Sequence, residues 1–201
     1  MEEIEHYGRV DCPSPGTLYP VPYTLYPESY TLSGGNVVDL KQFFIKQKQA
    51  VHRGTLDVFG KIPPEQLDWR PAEGLLSLGE IVRHTWMSEE GLRSAALDGD
   101  WSYFEERVPM GLPGFLAARG RLESLAAEIS QLERANQETL RRVADFPLER
   151  WEEERHHDAF NIHRRVSVML FGLNEHQIHH RAQVGTYLHV LTGRKASPYA
   201  L

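Results

Sequence analysis

The residues most able to do chemistry fall in NEHQIHHRAQ, residues 174–183, where three histidines occupy five positions with an arginine directly behind them. Neutral imidazole is the commonest side-chain ligand for transition metals and also serves as a general acid or base. Spacing separates the three. His176 and His180 are four residues apart, so on a helix they project from one face, one turn above the other. Such a pair reaches a single ion easily at zinc-type distances of ~2.0–2.1 Å. The apolar stripe of the same segment runs Val166, Met169, Leu173, His176, His180, Val184, Tyr187, Leu191, so both rings should face a core. His179 falls with Gly172, Glu175, Ala182 and Thr186 on a more polar face, and His189 is also off the stripe. A buried imidazole has one donor and one acceptor to satisfy. Two readings meet that need: a hydrogen-bonded pair of core histidines, or a chelate completed by a ligand from another element.

The candidate for that third ligand is His84, in GEIVRHTWMSEE, with Ile81, Val82 and Thr85 close to its face. If it is not His84, then His52, His156, His157 and His163 remain. Spacing excludes other histidine-metal patterns. A zincin needs glutamate after the first histidine, and Gln177 follows His176. A ferritin-like di-iron site needs Glu-x-x-His on two helices, but Glu175 adjoins His176 and Glu80 lies four before His84. A hemerythrin-like site would need a carboxylate where Ser88 stands.

The elements that must position these residues read as four amphipathic helices. The first covers about 37–59, with Val37, Leu40, Phe44, Val51 and Val58 near one face. GKIPPEQLDWRPAEGLL breaks it with three prolines and two glycines. SLGE then sets Ser77 as N-cap and Glu80 three residues on, a capping box that starts a second helix ending near Gly99. A third is expected from about Pro113 to Asp145, its stripe interrupted at Asn136, and a fourth from about Arg165 to Thr192, closed by Gly193. The alternating stretch 151–163 is too charged to count as strand. The expected fold class is all-α, one four-helix bundle over residues 37–201, in which sites are built from inward side chains on facing helices.

Ahead of it, residues 1–36 form an extended Pro/Tyr-rich arm. Pro13, Pro15, Pro20, Pro22 and Pro27 prevent a continuous helix, while Tyr19, Tyr23, Tyr26 and Tyr30 predict an ordered segment rather than a loose tail, docked on the bundle surface or, as the alternative, reaching a partner subunit or covering a pocket. A net charge of -6, from 22 basic and 28 acidic residues, argues against nucleic acid as a partner. No apolar run approaches the ~18 residues of a membrane span. MEEIEHYGRV carries no secretion signal, and the single Cys12 fits a reducing cytoplasmic setting.

SLGEIVRHTW on a capped helix, followed late in the chain by HQIHHRAQVGTYLHVLTG, resembles the DinB/YfiT-like superfamily of metal-dependent enzymes, as does the approach LDWRPAEGLLSLGE. The likeness spans roughly 37–195 and leaves the arm outside. It implies a divalent transition metal, zinc or nickel first and iron or copper next, held by His84 on the second helix and by His176 and His180 on the fourth. The pair is followed by Arg181 and Gln183, matching the family's Arg-x-Gln. The resemblance further implies a small-molecule substrate, with a low-molecular-weight thiol as cosubstrate in a transferase, or hydrolysis of a small substrate, and a homodimeric protein. The alternative is a metal-binding or sensing bundle without turnover. Three neutral ligands would leave the ion its full charge and an open position. Metal binding at an all-histidine site should weaken as pH falls below about 6, because imidazole must be neutral to bind and its reference pKa is ~6.5.

Overall fold

The computed structural model describes residues 39–193; the Pro/Tyr-rich arm expected over 1–36 lies outside them. Within that range the order is α1 (Leu40–Phe59), α2 (Leu78–Asp98), α3 (Ser102–Ala118), α4 (Leu125–Asp145), a hairpin of β1 (Glu154–His157) and β2 (Ile162–Arg165), and α5 (Val166–Thr192). Local signals set the helix ends. The Asp39 carboxylate accepts from the Gln42 N–H and the Ser124 hydroxyl from the Ala127 N–H. At α2 the capping box is complete: the Glu80 N–H donates to Ser77 Oγ at 3.2 Å and the Ser77 N–H to Glu80 Oε2 at 2.7 Å. Gly99 and Gly193 end α2 and α5 with left-handed φ of 71° and 65°, a conformation that costs glycine nothing.

The four long helices α1, α2, α4 and α5 form the bundle. The packed neighbours are α2 with α4, α2 with α5, α1 with α5, and α1 with α4. Going round, the order is α1, α5, α2, α4, so the consecutive pairs α1–α2 and α4–α5 lie across diagonals. The core residues show the directions. One apolar cluster joins Phe44, Ala95, Val143 and Leu170; the other joins Val58, Ile81, Leu132 and Val184. Residue numbers thus rise from the first cluster to the second along α1 and α5 and fall along α2 and α4. The neighbours α2 and α4 are parallel, and their connection must travel back along a helix of about 30 Å.

That requirement explains the main departure from the sequence reading. The expected helix 113–145 is two elements. Residues 113–118 are the end of α3, an unforeseen helix that carries the chain back along the bundle. Gly111 kinks it (φ 64°, ψ 159°), between Pro109 and Pro113. Gly120 (φ 78°) then separates it from α4. The stretch 151–163 is also corrected: it supplies most of an antiparallel hairpin, with His156 opposite His163 and Glu154 opposite Arg165. Charge did not prevent strand formation because the inward residues are long and amphipathic. Arg155 is half-buried and donates through Nε to the Ala96 carbonyl at 3.0 Å.

Between the two apolar clusters the core is polar. Lys48 on α1 and Glu89 on α2 meet across the diagonal at 2.6 Å with both side chains fully buried. Gln177 of α5 donates to the same Glu89 oxygen at 3.2 Å. His52, Arg93, Asn136 and Asn174 are buried at the same level. The three histidines singled out above belong to this middle layer. Among the described residues no helix is long and apolar enough to cross a membrane.

Candidate metal centre

The capping box fixes where α2 begins, and His84 follows two turns later, buried, on the side that packs against α5. On α5 most of the stripe traced from the sequence is buried: Val166, Met169, Leu173, His180, Val184 and Tyr187 are buried and His176 and Leu191 half-buried, while Leu170, Asn174 and Gln177 beside it, not foreseen, are buried as well. The two helices bring His84, His176 and His180 together. His176 Nε2 lies 3.2 Å from His84 Nε2 and 3.1 Å from His180 Nε2. One ring nitrogen from each falls within 4.8 Å of the others.

Outer contacts decide which nitrogens point inward. His180 Nδ1 is 2.9 Å from Gln183 Oε1. A carbonyl oxygen only accepts, so His180 carries its proton on Nδ1 and turns the Nε2 lone pair into the cluster. At His84, Nδ1 lies 3.1 Å from Ser88 Oγ, which lies 2.8 Å from the Tyr103 hydroxyl. A proton on His84 Nδ1 can be donated to Ser88, whose own O–H then donates to Tyr103. His176 Nε2 faces two such lone pairs and has at most one proton to offer. A centre of acceptors short of donors suits a cation. Three nitrogens ~2.0–2.1 Å from one tetrahedral ion would be about 3.3 Å apart, close to the 3.1 and 3.2 Å observed.

Electrostatics point the same way. Burial, then the charges of His180, Arg107 and His179, push the His84 pKa down to about 3. Burial is also the first cause at His180, lowered to about 4, and at His176, lowered well below its ordinary value. All three rings are therefore neutral, the form that binds metal, far below neutral pH.

The remaining histidines lie elsewhere. His179 is exposed, its ring 4.8 Å from that of His180 but outside the cluster. His52 is buried on α1 with Nδ1 unpaired among the described residues. His156 and His163 stack on the hairpin, and His157 meets Glu105 at 3.1 Å. Gln183 and Arg181 acquire distinct roles: Gln183 orients His180, while the Arg181 guanidinium lies over Gly54 of α1, in the space a Cβ there would occupy. Ser88, visible in the sequence only as a missing carboxylate, is the partner of His84. A serine four residues after a candidate ligand on the same helix was the available signal. Tyr103 had none, because it depends on the path of α3. Its ring packs against Gly91, whose missing Cβ makes the room.

Comparisons with known proteins agree with this architecture. A match to the DinB superfamily extends over residues 47–184. No curated protein matches the chain significantly. Among solved structures, a DinB-like protein, YjoA of Bacillus subtilis, is similar at a TM-score of 0.58 and 18% identity, over 75% of this chain and 92% of that one. A DinB family structure from Exiguobacterium sibiricum 255-15 gives 0.57 and 18%, over 81% and 98%. YfiT of Bacillus subtilis, described as a probable metal-dependent hydrolase with an unusual four-helix bundle topology, gives 0.57 and 13%, over 83% and 95%.

Proposed function

The chain belongs to the DinB superfamily, and from that premise we propose that it is a metal-dependent enzyme acting on a small molecule, with His84, His176 and His180 as the ligands of one divalent transition metal, zinc or nickel. The observation that carries the reading is the convergence of three inward Nε2 atoms, two of them backed by hydrogen-bond partners on Nδ1. A divalent ion held by three neutral ligands keeps its full charge and can polarise a carbonyl oxygen or acidify water or a thiol. Hydrolysis of a small substrate and transfer of a low-molecular-weight thiol both use that property. The description of YfiT favours the first.

The chain's own residues have separable tasks. Gln183 and Ser88 hold the His180 and His84 rings in the tautomer that presents Nε2. The buried middle layer keeps the imidazoles neutral. Tyr103, through Ser88, ties the position of α3 to that of His84.

The test is elemental analysis of the full chain purified without added metal and again after loading with zinc or nickel. It is followed by a panel of small esters and amides, with and without low-molecular-weight thiols. About one ion per chain, and turnover abolished by chelation and restored by metal, is the expected result. A chain that takes up no ion would make the histidines structural. Stoichiometric metal without turnover on any substrate would leave a binding or sensing protein.

A further inference from the structure

We infer that a second binding site lies between α2, α3 and α4, and that it takes a protonated amine with an apolar body, held by Glu90 and Trp86; this does not rest on the metal-dependent reading. α3 and α4 both pack on α2, and the gap between them is a cavity of about 560 Å³, within the range of small-molecule pockets. Its wall on α2 runs from Arg83 to Ser94, about 16 Å of helix. None of His84, His176 and His180 lines it.

The charges of the lining select the ligand. Arg83 pairs with Glu128 at 2.6 Å and also donates to the Gly120 and Arg121 carbonyls. Arg119 pairs with Glu106 at 2.6 Å and lies over the Phe115 ring. Both lining cations are thus engaged, and neither is left for an anion. Glu90 and the exposed Asp100 and Glu123 line the same cavity with no cation of the lining to pair them. Glu90 is half-buried. Its neighbour Glu89 turns inward to Lys48, and Arg93 is bonded to the Ala135 carbonyl and the Thr139 hydroxyl. No hydrogen bond engages the Glu90 carboxylate among the described residues. Burial raises its pKa in spite of the charges of Arg93 and Arg134, so the carboxylate gives up water there without gaining a donor. Trp86 stands one turn before Glu90 on the same face of α2. Its indole is fixed in place, with Nε1–H donating to Glu128 Oε2 at 2.7 Å. Met87 and the Tyr103 ring, which sits where a Cβ on Gly91 would be, add apolar surface. An ammonium group suits both features. It donates charge-assisted hydrogen bonds to Glu90, and indole is the side chain that attracts a cation best. An anion would meet three carboxylates, and a neutral ligand would leave their charge uncompensated.

The experiment uses the full chain treated with chelator, so that an amine cannot bind as a metal ligand. Hexylammonium, hexanol and hexanoate are titrated by calorimetry at pH 7 and constant ionic strength. Hexylammonium should bind the wild type saturably and roughly tenfold or more tightly than the other two. Glu90→Gln should weaken it roughly tenfold or more, with melting temperature unchanged, and Glu90→Asp, which sets the charge back by one methylene, should fall between. Trp86→Phe should weaken it less than Glu90→Gln. In the isotope-labelled chain the Trp86 indole N–H resonance, assigned by its absence from Trp86→Phe, should shift on titration. His176→Ala should bind hexylammonium as the wild type does. No saturable binding by the wild type overturns the inference, as does an affinity within twofold of wild type in Glu90→Gln. Hexanol or hexanoate binding as tightly as the amine overturns the choice of ligand, and loss of binding in His176→Ala would put the amine at the histidines instead.

Discussion

Replacing Gln183 with alanine isolates one contact of the centre without touching a ligand. It removes the carbonyl 2.9 Å from His180 Nδ1 and leaves the ring on its helix. Two effects follow, and their sizes differ. Freed of its acceptor, neutral His180 can move its proton to Nε2; if the tautomers equalise, half the rings are competent, which costs only about 0.4 kcal/mol. Loss of orientation and of ligand basicity is larger, since removing such an outer partner typically lowers metal affinity about 10–100-fold, or about 1.4–2.7 kcal/mol. Zinc affinity measured by competition with a chromogenic chelator should therefore fall by one to two orders of magnitude. Gln183→Glu supplies a carboxylate acceptor at the same place and should hold or tighten binding. Gln183 also donates to the Tyr187 hydroxyl at 3.3 Å, so Tyr187→Phe is the control and should leave zinc affinity unchanged. A fall of threefold or less in Gln183→Ala, or a Glu variant as weak as the Ala variant, would show that this contact does not orient a ligand.

Deleting His84, His176 or His180 should each cost more zinc affinity than Gln183→Ala, whereas exposed His179→Ala should cost little; stoichiometry after dialysis decides, and a His179 variant that alone loses metal would refute the assignment. Burial holds the His180 pKa down at about 4, which narrows the expectation from ordinary imidazole: zinc should be retained at pH 5 and released as pH falls through about 4, and loss already at pH 6 would contradict this. For the metal-free chain, the unfolded imidazole takes up protons below about 6.5 while the folded one stays neutral down to about 4. Stability is thus full above pH 6.5 and falls with pH through that window, by roughly 3 kcal/mol for His180 alone, as urea titrations at pH 7 and 4.5 would register. Glu89→Gln, which strands the buried Lys48 ammonium, should destabilise the chain by roughly 3–5 kcal/mol, with Lys48→Met on the same background restoring most of it; a single variant as mild as a surface substitution would count against a buried ion pair.

Features encoded within one element are legible in the sequence, and those that depend on how elements cross are not. The separation of His179 from His176 and His180 and the capping box at Ser77 are local, and each is found as read; the stripe of α5 is found too, widened by buried Leu170, Asn174 and Gln177. The long helices were likewise visible from apolar periodicity. α3 was not, because Pro109, Gly111 and Pro113 break the periodicity, and the need for it arises only from the parallel packing of α2 and α4. The hairpin was hidden by charged residues whose stems pack while their heads reach water or a backbone carbonyl. The polar middle layer was concealed for a related reason. Lys48, Glu89 and Gln177 are of types that ordinarily face water, and their burial is accounted for only by partners on other helices.

That layer has a consequence for the axial alignment of the helices. Leucines, valines and phenylalanines are tolerant neighbours, and a bundle glued by them alone could slide one helix along another at modest cost. Here a slide of one turn, about 5.4 Å, would carry Lys48 away from Glu89 and Gln177 and strand a charge in the interior, at several kcal/mol. The layer works as a key that fits at a single height. His84 adjoins Ser88 and Glu89 on one helix, and His176 and His180 flank Gln177 on the other. The alignment that satisfies the key is also the one that brings the three imidazoles level, so the folded chain arrives with its ligands already in register, whatever it then binds.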